Sequence, residues 1–298
     1  MRWLLPCALV VSGCGPLEEG VALDAPAAQT QALGSVNGLS LNGLSLNGLS
    51  LNGLSLNGLS LNGLSGSQFD AWFQGNPGLH ETVMRYVVRC AVPAGATRTY
   101  TSARTGASWT WEGSLGLAPG WSQGEAASLT EQRTVSACLA AHANKFGIQI
   151  ALSVRGRAAT GSAIPTSTEE LEQYPEKEGC FFGNLFNDEG IYAASDRKAL
   201  NHKSSTPRAC ALAIKKSGPP ECAPMVRLEP ECSELCTKDA SGAYVSCTYN
   251  HITYPVMTTR LRKQDLYTCG DGVCQVSETC GNGNDYDNCG GDCGPCAG

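Results

Sequence analysis

A chain of 298 residues with 27 acidic and 21 basic side chains has a formal net charge of −6, and no run of lysine or arginine breaks that balance. Without a positive patch to neutralise phosphates, nucleic acid is excluded as a partner. Sixteen cysteines point to an oxidising compartment, because the cytosol keeps thiols reduced.

Met1-Arg2-Trp3 leads into an apolar stretch, residues 4–11, and then Ser12-Gly13-Cys14. A charged start, a short apolar run and a small-residue site form the layout of a secretory signal, here 1–13. The run is too short to cross a hydrocarbon core of about 30 Å. Val11-Ser12-Gly13-Cys14 resembles the lipobox of bacterial lipoproteins, which implies cleavage before Cys14 and a diacylglycerol on its sulfur. The alternative is ordinary secretion with Cys14 as a disulfide partner. Gly15 rather than Asp after Cys14 implies, within that resemblance, onward transport to the outer membrane. No later segment is apolar enough to span a bilayer, so the lipid is the expected anchor.

Residues 25–69 carry no charge, and most of the segment is one pentapeptide written six times, from Ser35-Val36-Asn37-Gly38-Leu39 onward as Ser-Leu-Asn-Gly-Leu. Asn-Gly tolerates positive φ, so each unit tends to turn. Six units are few for a solenoid, which needs stacked neighbours to bury a core. The expectation for 14–66 is therefore a weakly ordered tether with a reach of roughly 40 Å, a solenoid fragment being the alternative.

Residues 67–266 are long enough for a substantial core. Asn76-Pro77 starts a helix in which Leu79, Val83, Tyr86, Val87, Cys90 and Ala91 share a face until Pro93. Ser128-Leu129-Thr130-Glu131 has the form of a capping box, and Val135, Cys138, Leu139, His142 and Phe146 follow at helical spacing, with Gly147 as the stop. Ile148, Ile150, Leu152 and Val154 alternate with polar or small residues as a strand with one buried face. Residues 244–249 and 252–261 read as two β segments around an Asn250-His251 turn. The expected class is α+β, a disulfide-rich central domain between the tether and a small cysteine-rich module at 267–298.

With Cys7 in the signal and Cys14 lipidated, an even set of cysteines remains for disulfides. Cys90, Cys138, Cys180, Cys210, Cys222, Cys232, Cys236 and Cys247 are central; Cys269, Cys274, Cys280, Cys289, Cys293 and Cys296 crowd the tail. Connectivity stays open, although Cys90 and Cys138 both sit on apolar helix faces and make a reasonable pair. The tail is too short to hold together by apolar burial, so disulfides must replace a core.

Cys269-Gly270-Asp271-Gly272-Val273-Cys274, continued by Glu278, Cys280, Cys289, Asp292 and Cys293, resembles the small cysteine-rich repeats of secreted myxobacterial proteins. With the Ser-Leu-Asn-Gly-Leu repeat and the phrases Gly116-Leu117-Ala118-Pro119-Gly120-Trp121 and Phe181-Phe182-Gly183-Asn184-Leu185-Phe186, most of the chain resembles a family of myxobacterial secreted lipoproteins. The resemblance implies an address and no particular activity.

Cys293-Gly294-Pro295-Cys296 spells a thioredoxin-type redox pair but lacks the βαβ setting, which favours structural disulfides. Asp271, Glu278, Asp285, Asp287 and Asp292 are candidate ligands for calcium, the one cofactor considered, against a solvated acidic loop. Trp109, Trp111 and Trp121 are candidate ligand-stacking residues if exposed and core if buried. His80-Glu81 opens like a zinc-protease helix, but Met84 stands where the second histidine belongs. Glu169-Glu170 and Glu176 with Glu178 are carboxylate pairs that need geometry before they count as acid and base. Three functions remain: a surface binding or adhesion lipoprotein that contacts a protein or glycan, which the anchor and tether favour over an enzyme; an envelope-attached hydrolase; and a purely structural envelope protein.

Overall fold

The computed structural model describes residues 34–37, 39–40, 67–144, 146, 148–187, 189–208, 211–212, 222 and 225–297. Cys7, Cys14, Gly147, Cys210 and most of the pentapeptide repeat lie outside them. The start of the repeat departs from a free tether. Strand β1 (Gly34–Asn37) pairs antiparallel with β6 (Ile150–Gly156), and β2 (Leu39–Ser40) pairs parallel with β5 (Ala143–Asn144).

Helix α1 (Ser67–Gly75) precedes α2 (Pro77–Ala91), whose N-cap Asn76 accepts a hydrogen bond from the Leu79 N–H at 3.3 Å while Pro77 occupies the first turn. These are the local devices that start a helix where orphan N–H groups would otherwise be left. A hairpin follows, β3 (Thr97–Thr101) and β4 (Ser108–Glu112), then a short α3 (Pro119–Ser122). The capping box of α4 (Leu129–His142) is fully formed: Ser128 Oγ accepts from the Glu131 N–H and Glu131 accepts from the Ser128 N–H. Glu131 is buried and also accepts from the N–H groups of Gly120 (2.8 Å) and Trp121 (3.3 Å), so one carboxylate ties α3 to the start of α4. The helix ends at His142, short of Phe146. Asn144 accepts from the N–H groups of Phe146 and Ile148 and donates to the Ile148 carbonyl, which gives the backbone a turn in place of another helical one.

Then come α5 (Thr168–Gln173), β7 (Glu176–Asn184), β8 (Gly190–Ser195), β9 (Ser204–Ser205), β10 (Val226–Arg227) and α6 (Cys232–Leu235). After β11 (Cys236–Lys238) and β12 (Tyr244–Tyr249), residues 252–261 form two strands rather than one. β13 (Ile252–Pro255) completes a small sheet with β11 and β12, and beyond Val256 the chain crosses as β14 (Met257–Leu261) into the main sheet. Asn250 and His251 both have positive φ, 49° and 65°, which suits the tight turn between β12 and β13.

The main sheet runs β1-β6-β14-β7-β8-β10. One face, with Leu152, Val154, Phe181 and Met257, packs on the α2 and α4 side of the molecule. The other face, with Cys180, Phe182 and Ala194, packs on Tyr244, Cys247 and Tyr254 of the small sheet. The architecture is thus α+β, with the main sheet as the middle layer.

The module at the chain end has β15 (Tyr267–Thr268) paired with β9, a hairpin of β16 (Asn284–Asp285) and β17 (Asn288–Cys289), and α7 (Gly290–Cys293). Disulfides join Cys90–Cys138, Cys180–Cys232, Cys236–Cys247, Cys269–Cys289, Cys274–Cys293 and Cys280–Cys296. Cys222 is disulfide-bonded as well. The first of these ties α2 to α4; the last three staple a module with little apolar surface to bury.

Candidate functional site

The tryptophans do not form a stacking platform. Trp111 and Trp121 are 2% and 1% exposed, and Trp109 is half-buried against Phe73 (4.7 Å) and Tyr100 (5.6 Å, nearly parallel rings). The shared strand face of Trp109 and Trp111 is real, but it turns toward Phe73 of α1, where burying large rings gains most. Trp111 also edges a shallow groove, where Arg85 is already paired with Glu81.

Four of the five candidate calcium ligands hold separate partners through their carboxylates, and Asp287 takes part through its main chain. Asp292 accepts from the N–H groups of Gly270 (2.6 Å) and Gly272 (2.9 Å), and Asp271 accepts from Val273 N–H and Gln275 Nε2. Glu278 accepts from the Gln275 N–H, and Asp285 faces His202 at 3.3 Å. The Asp287 carbonyl takes the Thr279 hydroxyl. Among the described residues no three of these five carboxylates converge as a cation site; the only close group in the tail is Asp292 with the bonded sulfurs of Cys269 and Cys289. Burial pushes the Glu278 carboxyl up, and Asp292 and Asp271 push it the same way. Cys293 and Cys296 bond to Cys274 and Cys280 rather than to each other, so the Cys-Gly-Pro-Cys sequence is structural.

The four histidines are dispersed. His80 is buried, stacked on Trp72 at 4.0 Å, and His251 is an exposed turn residue. His142 is fully buried; Nδ1 donates to the Cys138 carbonyl at 2.8 Å, and Nε2 has no hydrogen-bond partner among the described residues. Burial pushes its imidazole down to about 3, with Arg89 and Arg208 adding to the shift. The carboxylate pairs also separate: Glu176 pairs with Arg197, whereas Glu178 is sealed against Arg208 Nε at 2.9 Å and takes the Thr259 hydroxyl. Glu170 is buried at the start of α5, and Glu169 is exposed.

What the main sheet does assemble is a cleft of about 140 Å³ on the face opposite α4, beside the edge of the small sheet. Arg155 comes from β6 and Arg157 directly follows it, Lys177 comes from β7 and Arg260 from β14; Asp196 follows β8, and Asp239 and Tyr244 come from the β11–β12 connection and β12. Strand register explains the convergence. Arg155 lies opposite Thr258, and an irregularity after Thr259 puts Arg260 opposite Lys177, so three cations share neighbouring positions on adjacent strands. Gly156 also lines the cleft, and a Cβ there would meet Met257 Sδ at 2.3 Å, which favours glycine at this position.

The cations differ in how they are held. Arg157 pairs with Asp239, which also caps its own turn by accepting from the Ser241 and Ala243 N–H groups. Arg260 is fixed by the carbonyls of Tyr174 (2.7 Å) and Pro175 (2.6 Å). Arg155 and Lys177 pair with no carboxylate among the described residues. Burial pushes the Arg260 guanidinium down, and neighbouring Arg155 pushes it further. Burial raises the Asp196 carboxyl, while Lys177 and the Tyr244 hydroxyl pull it back; the Tyr244 phenol is itself pushed up to about 12 by burial and by Asp196. Four cations against two carboxylates make this a positive cleft on an acidic chain, suited to holding an anion.

Sequence reasoning missed every one of these residues. The one local signal is that Arg155 occupies a strand position opposite to Leu152 and Val154, on a sheet whose other face is also covered, with Arg157 two residues on. Comparison with protein-family models, with curated proteins and with solved structures finds no match to this chain.

Proposed function

We propose that this chain is an exported bacterial lipoprotein, lipidated on Cys14 and held at the outer membrane or cell surface, whose α+β domain works as a binding module. The observation that carries the binding reading is the open cationic cleft, a site where charged groups converge without a histidine among them. Export is supported by the disulfide-bonded state of all thirteen described cysteines. The resemblance of repeat and tail to myxobacterial lipoproteins supports the same address.

Two measurements test the two halves of this reading. Cells expressing the chain are fed radiolabelled palmitate: label on the wild type that is lost in Cys14→Ala is the expected result, and an unlabelled wild type overturns the lipid anchor. Purified protein is titrated against a panel of envelope glycans and small anions by calorimetry. Saturable binding to at least one is expected, and none across the panel overturns the binding module in favour of a structural envelope protein.

A further inference from the structure

The cleft's ligand class can be argued from its charges, resting on the reading of the domain as a binding module. Like charges on adjacent strands are destabilising, yet Arg155, Lys177 and Arg260 stand together in the register of β6, β14 and β7. Arg260 cannot turn away, because two main-chain carbonyls hold it. Among the described residues Arg155 and Lys177 donate no side-chain hydrogen bond, one half-buried and one exposed. Across from them the Asp196 carboxylate and the Tyr244 hydroxyl line the same opening, and the carboxylate offers lone pairs as acceptors. The volume has room for about five waters at liquid density, enough for an anionic group and a few attached heavy atoms, and too small for a polymer to be engulfed.

We propose that this cleft binds a small oxyanion-bearing molecule, a carboxylate or a phosphoryl ester that also carries hydroxyl groups, with Arg155 and Lys177 gripping the oxyanion and Asp196 accepting from a hydroxyl. Charge-assisted contacts of this kind supply most of the grip, and guanidinium suits the planar or tetrahedral oxygens of either group. The shared chemistry is the oxyanion; its source is what the test separates.

The full lipidated chain in neutral detergent micelles is titrated by calorimetry with inorganic phosphate, glucuronate and glucose at low ionic strength. Saturable binding of phosphate, glucuronate or both is expected, with glucose much weaker, and whichever anion binds names the source. Arg155→Gln with Lys177→Gln should weaken that binding by about tenfold or more, whereas Lys263→Gln, outside the cleft, should leave it unchanged. Lys177→Gln alone changes an exposed residue, so it provides the same test, with a smaller loss, should the double variant fold poorly. No binding of either anion, glucose binding as tightly as glucuronate, or equal affinity in the cleft variants would overturn the inference. A glycan that binds the wild type and the cleft variants alike would leave the binding module standing and remove only the oxyanion site.

Discussion

Replacing His142 by leucine should flatten the acid sensitivity of this domain. The imidazole is fully buried between α4 and its surroundings, with the Tyr86 ring at 5.6 Å and the Arg89 and Arg208 charges nearby. Its protonation is pushed down to about 3 from an ordinary value of 6.5. A histidine depressed in this way is neutral in the folded chain and charged in the unfolded one between those two pH values. The unfolded state therefore binds the extra proton, and stability falls as pH drops through 6.5 toward 3. Each pH unit in that window costs about 1.4 kcal/mol, so moving from pH 7.5 to 4.5 costs about 2.7 kcal/mol from this residue alone. Glu178, raised by burial, contributes with the opposite sign, and His80, lowered by burial, contributes with the same sign. Both are present in either protein and cancel in the comparison. Urea unfolding followed by tryptophan fluorescence, with disulfides intact, at pH 7.5 and 4.5 gives the two stability differences. The variant should lose about 2.7 kcal/mol less than the wild type on acidification, whatever its stability at pH 7.5. Equal losses in the two proteins would refute the assignment of a sealed, neutral His142.

Glu131→Ala strands the N–H groups of Gly120 and Trp121 and removes the α4 cap, so chemical denaturation should register a loss of about 2–3 kcal/mol. Arg208→Leu leaves the Glu178 carboxylate buried without its partner; a loss of about 3–5 kcal/mol is expected, and adding Glu178→Gln should recover part of it in the same assay. Replacing both Cys269 and Cys289 by serine opens a disulfide spanning 20 residues in a module with almost no core, which should cost about 3 kcal/mol and expose the tail to limited proteolysis before the central domain.

Elements whose chemistry is local were legible before the structure. Asn76-Pro77 and Ser128 with Glu131 satisfy helix N–H groups within one turn, and Asn250-His251 supplies the backbone angles of its own turn. The Cys90–Cys138 bridge was within reach because each cysteine lies on the apolar face of its helix. Legibility fails where the deciding partner is distant in sequence. Alternation placed Trp109 and Trp111 on one face of a strand, but only the docking of α1 determines that this face is inside. Glu176 and Glu178 look alike as a pair and meet different arginines, Arg197 and Arg208. The cleft is the extreme case: Arg155, Lys177 and Arg260 become neighbours only through the strand order β6-β14-β7, in which the middle strand comes last in the chain.

The same sheet order links the cleft to the oxidised sulfurs. Its floor is the main sheet, and part of its wall is the turn at 239–243, which belongs to the small sheet. That small sheet is tied down by Cys180–Cys232, running from β7 to α6, and by Cys236–Cys247, joining β11 to β12. The two bridges touch, with Cys236 Sγ 3.7 Å from Cys180 Sγ, so floor and wall meet at one block of sulfur. The Arg157–Asp239 pair adds a clasp, but it is partly solvent-exposed, and an exposed ion pair cannot replace covalent ties. Where thiols are kept reduced the wall would hinge on that pair and on the buried rings of Tyr244 and Tyr254. Outside the cytoplasm the bridges persist. A cleft that needs them would hold its charges in place only in an oxidising compartment, so the proposed export would also be a condition for the proposed binding site.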